Sequence, residues 1–170
     1  MKALLGIFSI SQMIFSSGKS VMALAIAMLV DKGLLKYDDK VSQHWPEFGQ
    51  KGKEDLTVAD VLRHEAGLTN LCRLLQKTDA LRPSIKKNAL GKVIEDTELN
   101  FPADNLNEDG SESKRKYHAL TRGFILNEIH RRVDPMNRTL GELLQQEKDL
   151  IGEDVQCGLD ENGLVRLDLL

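Results

Sequence analysis

The stretch Ser16-Ser17-Gly18-Lys19-Ser20 offers two chemistries in five residues. Ser16 and Lys19 stand at i and i+3, positions that share one face of a helix, whereas Ser17 and Lys19 at i and i+2 do not. A serine at a helix N-terminus lies among free backbone amides and at the positive end of the dipole, where developing negative charge is favoured. A lysine one turn later, partly desolvated by the apolar block Val21 to Val30, can accept the proton of that hydroxyl near neutral pH. The same residues also match the end of a phosphate-binding loop, in which Lys19 and Ser20 would meet phosphate and magnesium. That pattern needs a glycine five residues before Gly18, where Met13 stands, and Ile14 and Phe15 would crowd the amides that must wrap the phosphates. The third reading is a capped helix start with a solvated lysine, since a short S-x-x-K match arises often by chance.

Longer stretches add to the S-x-x-K residues. Tyr37-Asp38-Asp39-Lys40-Val41 follows the apolar block, then Trp45-Pro46-Glu47-Phe48, then Thr57-Val58-Ala59-Asp60-Val61-Leu62-Arg63-His64-Glu65-Ala66-Gly67-Leu68. In this order and spacing the chain resembles the serine β-lactamase and penicillin-binding-protein superfamily, in its class C-like branch of esterases and β-lactamase-related proteins. The stretch from Lys116 to Val133 is similar to the second motif region of that family, where a tyrosine reaches the serine-lysine pair. The resemblance implies that Ser16 is the nucleophile, Lys19 its proton acceptor and Tyr117 the phenol that carries a proton to the leaving group. The implied reaction is acyl transfer through an acyl-enzyme, on an ester or amide substrate of small size and without a cofactor. The family pattern Tyr-x-Asn has Ala119 at its third position here, which favours esterase-like members over efficient lactam hydrolysis. His118 reads as a helix residue, and His64 as a buttress for the turn before Gly67.

Those residues need elements to hold them. The expected order begins with a helix capped by Ser16 or Ser17, running through Met22 to Val30, ending at Gly33 and apolar nearly all round, hence buried on most sides. Trp45 before Pro46 reads as the anchor of a turn-rich loop. Thr57 and Asp60 form a capping box for a short helix that exits at Gly67. Residues 69–96 read as one or two amphipathic helices with Pro83 in a first turn, and 97–116 as polar, turn-forming and mobile. Helical spacing resumes from Tyr117 to Val133 through Leu120, Phe124, Ile125 and Ile129, and another helix runs from about Thr139 to Leu150. Strand-like runs occupy the two ends, in MKALLGIFSIS and around Asn162-Gly163.

The 170 residues, with 41% apolar and 29% charged side chains, have a one-domain length. A net charge of -3 without a long basic run gives no footprint for nucleic acid. Cys72 and Cys157 show no paired spacing, and His44, His64, His118 and His130 lack helical ligand spacing, so no metal and no disulfide is assigned. The apolar part of the opening segment is short for a signal peptide, and Val21 to Val30 is about half of the ~20 residues a bilayer span needs, so the default compartment is cytoplasmic and no membrane span is expected. Asn137-Arg138-Thr139 fits a glycosylation acceptor by pattern alone.

The expected fold is therefore α+β and mostly helical: residues 1–170 form one partial β-lactamase/penicillin-binding-protein-like (transpeptidase-like) domain with most of its sheet missing. Fifteen residues precede Ser16, and no Lys- or His-Thr/Ser-Gly triplet follows Tyr117. Two consequences are expected: little turnover by this chain alone, and self-association through an uncovered apolar helix face. The competing class is a non-catalytic helical remnant or binding protein.

Overall fold

The apolar block after Lys19 forms α1 (Gly18–Asp31) in a computed structural model that describes residues 15–101, 106, 107, 110, 111 and 113–146. Gly33, at φ +68°, ends it: Gly33 N–H bonds to Val30 O at 2.9 Å and Leu34 N–H to Leu29 O at 3.0 Å, closing the paired bonds of a left-handed C-cap. Met22, Ala25, Ile26 and Leu29 are buried on one stripe of α1, but Leu24 on another is 56% exposed. The helix is thus buried or half-buried along most of its surface and open on the Leu24 side.

The loop after α1 is stitched to the start of the next motif by backbone bonds, Val41 N–H to Leu56 O, Val58 N–H to Asp39 O and Ala59 N–H to Tyr37 O, around an antiparallel bridge between Lys40 and Thr57. Inside that frame a single turn, α2 (Val41–His44), leads to Trp45, which is fully buried and packs on Phe48 with ring centroids 5.2 Å apart. The next helix, α3 (Val58–Leu62), carries the expected capping box, with Thr57 N–H on Asp60 Oδ2 at 2.9 Å and Asp60 N–H on Thr57 Oγ1 at 3.2 Å.

Residues 69–96 differ from the expected one or two helices. They break into 3-10 turns at Thr69–Arg73 and Lys77–Ala80, the short α4 (Arg82–Lys86) and α5 (Ala89–Asp96). Pro83 sits in the first turn of α4 as expected, and Asn88 at φ +64° interrupts the helical path before α5. The polar stretch that follows is tied down near its ends by Leu99 N–H on Lys51 O, Asn100 N–H on Gly67 O and Lys116 N–H on His64 O.

The last two helices are α6 (Thr121–Val133) and α7 (Leu140–Gln146). Thr139 caps α7 reciprocally with Glu142, at 2.7 and 3.2 Å. Ile125, Leu126 and Ile129 of α6 are fully buried, and α6 packs against α1, α2, α3, α5 and α7, so it is the centre of the core. It begins four residues later than the helical spacing predicts. Tyr117 and His118 lie in the segment leading into it, so His118 is not a helix residue. Among the described residues the architecture is helical, without a named strand. The strand-like runs expected at both ends lie outside the described residues.

Candidate active site

Ser16 belongs to a 3-10 turn, Phe15–Ser17, that feeds straight into α1. Neither serine caps the helix: Ser17 occupies the N-cap position without a side-chain cap bond, and the Ser16 hydroxyl is turned elsewhere. Ser16 Oγ lies 2.5 Å from the Tyr117 hydroxyl, 101 residues away in sequence, and receives a hydrogen bond from Lys19 Nζ at 3.2 Å. Lys19 Nζ also donates to the Ala119 carbonyl at 2.7 Å and stands 5.0 Å from the centroid of the Tyr117 ring. All three residues singled out by the sequence thus meet. The i, i+3 spacing puts Ser16 and Lys19 on one face, and packing of α6 on α1 carries the Tyr117 segment to them.

Lys19 is 8% exposed, whereas Tyr117 is 55% exposed and Ser16 is exposed, so the pair is approachable from solvent with its amine sheltered behind it. Ser16 Oγ accepts from Lys19 Nζ and shares a second hydrogen bond with the Tyr117 hydroxyl, in which either oxygen can donate. Hydrogen bonds with Ser16 first and Lys19 next hold the Tyr117 phenol below its ordinary value. Ala119 lacks the side-chain amide of the Tyr-x-Asn pattern, yet its carbonyl fixes the Lys19 amine. Among the described residues no group of three His, Cys, Asp or Glu side chains could hold a metal ion, and no helix is long and apolar enough to cross a membrane.

The sequence reads His64 as a turn buttress and His118 as a helix residue, and it gives no sign that both lie against Tyr117 or each other. His64 and His118 stack beside it, with the His64 ring 5.0 Å from Tyr117 and 5.8 Å from His118. Arg122, buried in the first turn of α6, brings a positive charge to the same side.

Burial depresses the histidines: His64 to about 4, and His118 and His130 in the same direction. Each binds a proton more readily in the unfolded chain, where the ordinary value is about 6.5, so folding stability rises with pH between the folded and unfolded values. Asp134, lowered to about 2 chiefly by its hydrogen bond with Arg138, adds stability that is present above the ordinary carboxylate value and lost as pH falls further. The melting temperature is expected to fall between pH 7 and pH 5, before any carboxylate titrates. A melting temperature flat over that interval in scanning calorimetry would contradict the burial of these imidazoles.

The described helices can be set against known proteins. A family model described as Beta-lactamase matches residues 12–147. The chain is 33% identical over 152 residues to the esterase/beta-lactamase LipL of Mycobacterium tuberculosis, covering 89% of this chain and 30% of LipL. Among solved structures it is similar to a penicillin-binding protein homolog from Caulobacter crescentus, with a TM-score of 0.65, 34% identity, and coverage of 91% of this chain and 38% of that one. It is similar also to EstA from Arthrobacter nitroguajacolicus, with a TM-score of 0.67, 32% identity, and coverage of 87% and 36%. The chain thus spans 30% to 38% of the length of these relatives. Its helices are a part of the β-lactamase/penicillin-binding-protein-like fold, and with most of its residues matched by the family model the chain belongs to the beta-lactamase family.

Proposed function

We propose that this chain carries the nucleophile and proton-transfer half of a serine hydrolase site that forms an acyl-enzyme on Ser16. The observation that carries the reading is the meeting of Ser16 Oγ, Lys19 Nζ and the Tyr117 hydroxyl within 2.5 and 3.2 Å. Ser16 Oγ attacks the carbonyl carbon of an ester or amide, and its proton passes to the Lys19–Tyr117 pair, with Tyr117 on the shorter route. Collapse of the tetrahedral intermediate breaks the bond to the leaving group, which takes the proton back from Tyr117. Water then repeats the sequence to release the acid. The relative LipL is named an esterase/beta-lactamase, and Ala119 stands where a substrate-orienting amide would help a lactam, so small esters are the favoured substrate class.

The tetrahedral oxyanion needs two donors, one of them the Ser16 amide, and among the described residues no strand faces Ser16 to supply the second. Loss of one such donor costs about 10²–10³ in rate. The Leu24 side of α1 is the face through which copies of this chain would associate. The test is peptide mapping of the 170-residue chain after treatment with a fluorophosphonate or a fluorescent penicillin, alongside p-nitrophenyl ester turnover. Label is expected on the peptide containing Ser16 and absent from Ser16→Ala, with turnover near the level of that variant. Label on Ser17 or Ser20, or label that survives Ser16→Ala, would overturn the assignment, and turnover well above the Ser16→Ala level would refute the missing donor.

A further inference from the structure

Tyr117 lies outside any helix and is more than half exposed, so something other than core packing must fix its phenol over Ser16. The backbone on either side of it is held by one residue. Lys116 N–H donates to the carbonyl of His64 at 3.0 Å, and His118 N–H donates to the His64 ring at Nδ1, also at 3.0 Å. The His64 ring then lies against the Tyr117 ring. We propose that His64 is a positioning residue for Tyr117, acting as a neutral Nε2–H imidazole whose carbonyl and Nδ1 clamp residues 116 and 118 and so aim the phenol between them at Ser16. This rests on the reading of Ser16, Lys19 and Tyr117 as the reactive centre.

The hydrogen bonds dictate the tautomers. A backbone N–H can be received only by an unprotonated ring nitrogen, so the neutral His64 proton is on Nε2. His118 is the opposite: Leu68 N–H reaches its Nε2 at 3.0 Å, and its Nδ1–H donates to the Lys116 carbonyl at 2.6 Å. The two imidazoles thus form a relay of acceptors and donors that joins the 64–68 turn to the 116–118 segment, and protonation of either would set a ring N–H against a backbone N–H. The surroundings keep both neutral. Burial acts first on His64, then the charges of Arg122 from α6, His118, Lys19 from α1 and Arg115. The neighbouring Glu65 carboxylate is paired with Arg63 and Arg115, each at 2.8 Å. His64 also sits at φ +66°, a conformation uncommon for a side chain that is not glycine or asparagine.

That backbone angle supplies the test. Asparagine and glycine both tolerate φ +66°, but only asparagine places an acceptor oxygen where Nδ1 stands, so the pair separates backbone relief from the hydrogen bond. Tyr37→Phe leaves Tyr117 as the remaining tyrosine, and its ionisation can be read by ultraviolet absorbance. In that background His64→Asn is expected to keep Tyr117 titrating where the parent does, and His64→Gly to move it up towards the ordinary value of about 10. Nitrogen-15 spectra of the unsubstituted chain should show His64 as the Nε2–H and His118 as the Nδ1–H tautomer at pH 7. Asparagine and glycine variants that titrate alike, or a His64 ring protonated on Nδ1, would overturn the proposal. If His64→Gly does not fold, the tautomer measurement decides by itself. None of these readouts depends on turnover or labelling, so their outcome is distinct from that of the Ser16 experiment.

Discussion

Tyr117→Phe is expected to slow phosphonylation of Ser16 by a fluorophosphonate by about 10²–10⁴, the usual contribution of a positioned acid-base group. The reason is local. The phenol oxygen is 2.5 Å from Ser16 Oγ, and Lys19 donates to Ser16 Oγ, so the phenol is the group placed to receive the serine proton and to return it. The substitution leaves the ring, and with it the contact to His64, in place. Because Tyr117 is largely exposed, stability should change by less than about 0.5 kcal/mol, so slow labelling cannot be ascribed to unfolding. The measurement is the second-order labelling rate by intact-mass spectrometry, with melting temperature as the control. A rate within about threefold of the parent would remove Tyr117 from the mechanism.

The second large effect concerns stability. Glu128 is fully buried in α6, and its Oε2 accepts from Arg131 at 2.8 Å and from Arg132. Arg132 goes on to donate to Asn88 Oδ1 at 2.6 Å and lies 3.8 Å over the Trp45 ring, whose indole N–H donates to Glu95 at 2.9 Å. One network therefore ties α6 to α5 and to the Trp45 loop. Glu128→Ala removes the carboxylate between two sheltered guanidinium groups, and breaking a buried pair from one side typically costs about 3–5 kcal/mol. For a chain of this size each kcal/mol moves the melting temperature by about 2–4 °C, so a drop on the order of 10 °C is expected. Urea unfolding followed by Trp45 fluorescence checks it; a loss under about 1 kcal/mol would show that water reaches the arginines once the carboxylate is gone.

Punctuation was the most legible part of the fold. Gly33 ends α1, Thr57 with Asp60 starts α3, Pro83 opens α4 and Thr139 with Glu142 starts α7, as their side-chain chemistry requires. The region 69–96 was less legible, because its apolar periodicity suits a helix while Pro83 and the left-handed Asn88 divide it. The start of α6 was misjudged for a related reason: Leu120 continues the helical spacing, but the segment before it is held to His64 by Lys116 N–H and His118 N–H and cannot make helical bonds as well.

By itself, the sequence set Ser16 three residues before Lys19, a spacing that brings the two side chains to one side of a helical turn and leaves Ser17 off it. Motif order pointed to Tyr117 as their partner. Only the tertiary structure decided that the phenol reaches Ser16, that the Ala119 backbone rather than a side chain at that position holds Lys19, and that two histidines of opposite tautomer fix the approach. These contacts join residues about 50 to 101 positions apart, and they exist because α6 packs on α1 and α3 at one particular register. Periodicity encodes which face of an element is apolar. It does not encode where along a neighbouring element that face comes to rest, and the distance between a nucleophile and its proton acceptor depends on that.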